Sequence, residues 1–280
     1  MQDLLHRYIF EDLDARGELV QLNTTFNEII EGHDYPTPVK QLLGELLAAT
    51  CLLTATLKFE GDIAVQLQGD GPVKYAVING DNEQNMRGIA RLQSEITGTT
   101  IKDLIGKGHM VITITPKKGE RYQGIVPLEA DTLSECLEQY FTQSEQLTTR
   151  LWFATDVTKG AAKVSGLFLQ VLPVDKEKAE QDFIHLEALT NTIKDEELLT
   201  LDATTVLTRL YHEDNPRVFE PQAVNFKCTC TRDKTAGALV NVGLESLLEE
   251  TETSGDIQIS CHYCLTNYTF DESQVKALFH

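Results

Sequence analysis

Basic residues are scarce in this chain: 24 Lys and Arg stand against 43 Asp and Glu in 280 residues, a formal net charge of −19. Nucleic acids are held through clustered cations, so a phosphate-binding surface would need these few gathered in one place. The last 53 residues do not gather them, since Arg232, Lys234 and Lys276 face eight acidic side chains there. Long apolar runs are also missing, and no stretch approaches the length of a membrane span. The start, Met1-Gln2-Asp3-Leu4-Leu5-His6, lacks the basic and apolar regions of a secretory leader. A cytosolic protein is therefore expected, with neither membrane nor nucleic acid as partner. The familiar catalytic signatures are absent as well. Gly69-Asp70-Gly71 runs into Pro72 and Gly106-Lys107-Gly108 lacks the Walker spacing, so no loop is set to cradle nucleotide phosphates. There is no Gly-x-Ser-x-Gly elbow and no His-Glu-x-x-His helix, and the seven His, among them His33 and His109, are scattered. No enzyme is expected.

What is present suits a soluble fold: 41% of residues are hydrophobic and 24% charged. The pattern predicts an α+β protein with an N-terminal mixed sheet-and-helix core domain (1–173), a helical linker (174–226) and a small C-terminal zinc-binding domain (227–280). Pro38 opens a buried helix through Leu42, Leu43, Leu46, Leu47 and Leu53, which also carries Cys51. Ile63, Val65 and Leu67, then Val73, Tyr75 and Val77, alternate with polar residues around a Gly69–Pro72 turn, the signature of paired strands. Further strands are expected at 110–115, 122–128 and 166–172. A Thr132-Leu-Ser-Glu135 capping box opens a helix whose face carries Leu133, Cys136, Leu137, Tyr140 and Phe141, which makes Cys136 a core residue like Cys51.

Between Lys176 and Glu220 eleven acidic residues meet five basic ones, yet Leu186, Leu189 and Ile193, then Val206, Leu207, Leu210 and Tyr211, still mark apolar helical stripes. Such stripes need a surface to cover, and the like charges work against compactness, so the linker is expected to be an element of low local stability. Pro216 and Pro221 lead into a tail with a helical run at 238–248, strands at 257–260 and 267–270, and a last helix from Asp271.

Four of the six cysteines lie in that tail as Cys228-Thr-Cys230 and Cys261-His-Tyr-Cys264. Two tight thiol pairs supply the four soft ligands a zinc ion takes at tetrahedral corners, and a closed four-thiolate site leaves no open position for hydrolytic chemistry or for His262. One Zn2+ per chain in the reduced state is expected, held by Cys228, Cys230, Cys261 and Cys264. In a reducing compartment these cysteines rest as metal-bound thiolates. Each pair can also close into a disulfide without long-range rearrangement, and disulfide sulfur is a poor ligand. Spacing alone leaves open an inert structural module, which most such sites are, and a redox switch. It also leaves open a zinc-ribbon adaptor that binds a folded partner or nucleic acid. A thioredoxin-like oxidoreductase fits less well, since Cys261 follows a short strand with no βαβ unit.

The cysteine spacing, together with Leu42-Leu-Gly-Glu45, Leu57-Lys-Phe59, Gln66-Leu-Gln-Gly-Asp-Gly-Pro72, Met86-Arg-Gly88, Tyr122-Gln-Gly-Ile-Val-Pro-Leu128, Glu138-Gln-Tyr-Phe141 and Ser144-Glu-Gln-Leu147, resembles the heat-shock protein 33 family of redox-regulated bacterial chaperones. The resemblance runs essentially end to end. It implies an ATP-independent holdase for unfolded or aggregation-prone client proteins, inactive when reduced and zinc-bound. It implies activation when oxidant and heat unfold the zinc domain and linker, often with formation of a homodimer. It further implies that the four cysteines form the disulfides Cys228–Cys230 and Cys261–Cys264 when oxidised.

Overall fold

A computed structural model describes residues 2–57, 59–172 and 176–279, without the side chains of 176–179. The boundary expected at 173/174 and the central Lys of Leu57-Lys-Phe59 lie outside the described residues. The chain packs into two units, Met1–Phe226 and Lys227–His280.

The larger unit is built around one helix. Residues Thr37–Thr56 (α2) follow Pro36 and a short helix α1 (Thr24–Ile30), and 14 of the 20 residues of α2 are buried. A helix apolar on all sides must be enclosed on all sides. Two antiparallel sheets enclose it. Their strands are β1 (Leu4–Ile9), β2 (Ala15–Leu22), β3 (Gly61–Gly69), β4 (Val73–Asp81), β5 (Asn85–Leu92), β6 (Gly108–Pro116), β7 (Tyr122–Pro127), β8 (Thr149–Asp156) and β9 (Lys163–Val171). One sheet runs β1-β2-β9-β8 and the other β5-β4-β3-β6-β7, and α2 packs against strands of both. The buried hydroxyls of Thr50, Thr54 and Thr56 donate to the carbonyls of Leu46, Thr50 and Leu52 at 2.7–2.8 Å, so the helix carries threonine into the core without orphaned polar groups. Between β5 and β6 lies α3 (Ile101–Ile105), and between β7 and β8 lies α4 (Leu133–Tyr140), each opened by a capping box. Cys51 and Cys136 are both fully buried in this core.

The segment expected to be a helical linker forms α5 (Lys176–Thr190), α6 (Asp195–Thr200) and α7 (Ala203–Tyr211). Their apolar stripes have a definite surface to cover. Phe183, Leu186, Leu198, Val206, Leu207, Leu210 and Tyr211 pack with Tyr8, Phe10, Leu19, Leu167 and Leu169 on the face of the β1-β2-β9-β8 sheet turned away from α2. This is a second core, separate from the one around α2. The chain then stitches both sheets: β10 (Arg217–Val218) and β11 (Gln222–Ala223) pair with β1, while β12 (Asn225–Phe226) pairs in parallel with β5. Pro216 and Pro221 precede these two-residue edge strands, where a missing N–H is tolerated.

The smaller unit holds α8 (Arg232–Val240), α9 (Leu244–Ser254), the hairpin β13 (Ile257–Ser260) and β14 (Asn267–Phe270), and α10 (Glu272–Ala277). The single helical run expected at 238–248 is two helices. Gly243 stands at the junction with φ +95, a conformation that suits glycine and ends the first helix before the second starts.

Candidate metal centre

The buried core of the smaller unit is small: Ala236, Leu239, Leu247, Ile257, Phe270 and Val275. Around it the polar joints are well made. Arg232 lays its guanidinium 4.2 Å from the centre of the Phe270 ring and donates to the Thr269 carbonyl and the Gln274 side chain, both at 2.6 Å. Thr231 caps α8 by accepting from Lys234 N, and Asp271 caps α10 by accepting from Gln274 N. Even so, a core of this size does not hold a 54-residue unit without a staple.

Cys228 and Cys230 lie in the extended approach to α8, and Cys261 and Cys264 lie in the turn of the β13–β14 hairpin. That turn is closed by Cys261 N donating to Thr266 O at 2.9 Å and Leu265 N donating to Cys261 O at 2.8 Å. Leu265 is left-handed (φ 57), which curls the loop back on itself. The four Sγ atoms all lie within 4.8 Å of one another. Cys228 and Cys261 are 3.7 Å apart, and Cys230 and Cys264 are 3.5 Å apart, so each close contact joins one pair to the other. Four sulfurs placed about 2.3 Å from a common centre at tetrahedral corners are about 3.8 Å apart. The cluster fits one metal ion of that kind.

The electrostatics point the same way. Burial pushes the Cys228 thiol up to about 12. Burial also opposes ionisation of Cys264, but hydrogen bonds from Thr266 and from the thiols of Cys230 and Cys228 bring it down to about 6. One thiolate is thus solvated by its neighbours, and the next charges meet like charge, which is the condition a cation relieves.

Two residues that the sequence did not single out belong to this site. The Tyr268 hydroxyl donates to Cys230 Sγ at 3.1 Å from the far strand of the hairpin, and Thr266 Oγ1 lies 3.2 Å from Cys264 Sγ. The close spacing Cys264-Leu-Thr266 was a readable signal, because a hydroxyl two residues on reaches back to a turn residue. Tyr268 offered none until the hairpin register was known. His262 is exposed and outside the four-sulfur cluster. His33 stacks on Tyr35 and His109 bonds Gln68, so neither joins the site. Among the described residues no helix is long and apolar enough to cross a membrane.

The family model described as Hsp33 protein matches residues 3–271. The chain is 74% identical over 278 residues to the 33 kDa chaperonin of Pseudoalteromonas translucida (strain TAC 125), covering 99% of both chains. It is 54% identical over 279 residues to the 33 kDa chaperonin of Aeromonas salmonicida (strain A449), covering 99% of this chain and 95% of that one. The crystal structure of the 33 kDa chaperonin (heat shock protein 33 homolog) of Thermotoga maritima superposes with a TM-score of 0.84 at 22% identity, covering 99% of this chain and 98% of that chain, and shares the fold.

Proposed function

Because the chain belongs to the Hsp33 family and is a chaperone of that family, we propose that its four-cysteine cluster is the switch that turns client binding on. In this reading Cys228, Cys230, Cys261 and Cys264 hold one Zn2+ in the reduced cytosolic protein, and the ion supplies the folding free energy that the small core of the unit lacks. Structural zinc contributes on the order of 10–16 kcal/mol of apparent binding free energy in units of this kind.

Oxidation acts on the same four sulfurs. Two equivalents of peroxide accept four electrons from the thiolates, two S–S bonds form within Cys228–Cys230 and Cys261–Cys264, and the sulfurs cease to be ligands. The unit then loses its staple. The second requirement is heat, which lifts α5 to α7 from the sheet face they cover. That exposes Tyr8, Phe10, Leu19, Leu167 and Leu169 together with the apolar stripes of the helices, a contiguous surface suited to unfolded chains. The protein acts as a holdase without ATP or turnover. The net charge of −19 keeps its client complexes soluble by repulsion.

The observation that carries this proposal is the convergence of all four thiols within 4.8 Å in a unit with so few buried apolar residues. The test is light scattering of a chemically unfolded protein diluted into this one, before and after peroxide at heat-shock temperature, with released zinc followed by a chromophoric chelator. Suppression of aggregation only after oxidation, in step with zinc release, is the expected result. Zinc release without suppression would leave the metal a structural staple.

A further inference from the structure

One residue of the Leu42-Leu-Gly-Glu45 segment has no role in holding the fold. Leu42 and Leu43 are buried in the core around α2, and a Cβ on Gly44 would sit 2.8 Å from Phe26 Cζ, so packing accounts for the first three. Glu45 is half-buried on the same helix and makes no hydrogen bond or ion pair among the described residues. Its neighbours one turn away are Gln41, Leu42, Ala48 and Ala49, so α2 offers it no cation. Burial alone raises its carboxyl to about 7, and the ionised form lacks the partner that buried charges ordinarily have. The side-chain amide of Gln41 is likewise without a hydrogen-bond partner among the described residues. Both side chains line one cavity of about 380 Å³, enclosed by α2, α3, the start of α4 and β8. Leu42, Ile101, Leu104, Leu133 and Phe153 supply its apolar wall.

We propose that this cavity binds a small organic ammonium, a primary amine carried on an apolar chain or ring, with its charge at Glu45 and Gln41 and its body against the apolar wall. The volume is within the range of small-molecule pockets, and an apolar lining with a few convergent polar groups is their usual make-up. A primary ammonium brings three N–H donors. The Glu45 carboxylate and the Gln41 amide oxygen are acceptors one helical turn apart that lack donors. An anion suits the site poorly, because the N–H groups that would attract it at the starts of α3 and α4 are taken by the chain's own caps. Thr99 N and Thr100 N donate to the Asp103 carboxylate at 3.2 and 3.1 Å, and Asp131 N and Thr132 N both donate to Glu135 at 3.1 Å. Among the described residues no Lys or Arg lines the cavity, and the second acid on its wall, Asp131, is already paired with Lys102 at 2.6 Å. The ligand touches four elements of the larger unit and no cysteine, so binding stabilises that unit by mass action and is read without the thiol switch.

The test uses the reduced, zinc-loaded full chain at pH 8, where Glu45 is ionised, with n-hexylammonium chloride as the probe. Thermal unfolding is followed by the fluorescence of Trp152, the one tryptophan of the chain, which lies on β8 beside Phe153. The expected result is a saturable rise in unfolding temperature with hexylammonium, and none with hexanol, hexanoate or ammonium chloride at the same concentrations. Glu45→Gln keeps the shape and removes the charge. That variant should unfold no earlier than the wild type when free, and its half-saturating concentration of hexylammonium should rise about tenfold, the loss of one charge-assisted contact. In the wild-type chain hexylammonium should also slow hydrogen exchange in α3 and at the start of α4, a reading that needs no variant. Absence of a saturable response overturns the proposal. So does a response that survives Glu45→Gln or that hexanol matches, since the cavity would then be an apolar cleft in which the carboxylate takes no part. Preferential binding of hexanoate overturns it by making the site one for acids. Protection centred on α5 to α7 overturns it by placing the amine on the helical cover.

Discussion

The side-chain amide of Gln21 donates to two carbonyls at the end of one helix, Leu198 O at 2.9 Å and Leu201 O at 2.8 Å. Gln21 belongs to β2, and both carbonyls lie at the C-terminus of α6, where a helix leaves its last C=O groups without partners. One buried residue of the sheet thereby fastens the helical cover. Replacing it with leucine keeps the volume and orphans both acceptors, at a cost of about 1–3 kcal/mol for each that stays buried. Gln21→Leu is expected to speed hydrogen exchange in α6 and α7 while leaving α2 protected, and to lower the temperature at which the oxidised protein captures client. Unchanged exchange in α6 would show that apolar packing alone holds the cover.

A second joint between sheet and cover depends on a missing side chain. Tyr8 and Gly17 are cross-strand partners, and a Cβ on Gly17 would sit 2.1 Å from Tyr8 Cζ. The Tyr8 ring lies flat over the glycine and meets Phe10 and Tyr211, with ring centroids 5.7 and 6.0 Å away. Gly17→Ala must push Tyr8 into the cover, and overpacking of this kind costs about 1–3 kcal/mol. The expected outcome is a lower midpoint for the thermal change that exposes the sheet face, read with an apolar fluorescent probe. The alanine exchange at Gly160, with nothing within 4 Å, serves as a comparison, although its φ of +76 carries a backbone cost of its own.

Stability should also fall as pH rises from about 4.5 toward about 7. Glu18 is fully buried beside α2, and burial raises its carboxyl from the ordinary 4.5 to about 7, against the opposing pull of Arg16 and of the Thr56 hydroxyl. The Thr56 hydroxyl has one proton and two acceptors in reach, Leu52 O at 2.8 Å and Glu18 Oε2 at 3.1 Å, an arrangement that a protonated Glu18 completes by donating in turn. Because the folded value lies above the unfolded one, the native state binds more protons between them. Its advantage is full below about 4.5 and is lost progressively up to about 7, on the order of 3 kcal/mol in all. Glu18→Gln removes that loss, so denaturant unfolding at pH 8 should show a more stable variant with a flatter pH profile. Glu45, which burial also raises to about 7, adds to the slope that remains.

Much of this was legible in the sequence, and the exceptions share a cause. The α2 helix announced itself through an unbroken apolar surface, and β3 through clean alternation, because one face of that sheet meets solvent; in β4 a bulge between Val73 and Tyr75 shifts the period, so Val73, Ala76 and Ile78 enter the core instead of Val73, Tyr75 and Val77. Strands β1 and β2 gave no such signal. In β2, Leu19 faces the helical cover while Val20 faces α2, so both sides are buried and the period of two disappears. The stripes of α5 and α7 declared helices but not the surface they cover, since that surface is assembled from strands more than a hundred residues apart. At the candidate site the cysteine spacing was enough to group four sulfurs. It was silent about Tyr268, whose hydroxyl reaches Cys230 only through the hairpin register.

That contact gives the last prediction. The Tyr268 hydroxyl is 3.1 Å from Cys230 Sγ, and its own proton is held well enough by that sulfur to move its ionisation up to about 12. A donor to a ligating sulfur fixes the orientation of the thiolate and spreads its charge. Loss of such outer partners typically costs about 10- to 100-fold in metal affinity. Tyr268→Phe keeps the ring and removes only the hydroxyl, so the fold of the unit survives while the sulfur becomes a more exposed, more nucleophilic thiolate. The variant is expected to surrender zinc to a competing chelator at lower concentration and to lose it faster to peroxide than the wild type does. Weaker metal binding with an unchanged peroxide rate would limit the hydroxyl to orienting Cys230. If both stay the same, Tyr268 serves the site by packing alone.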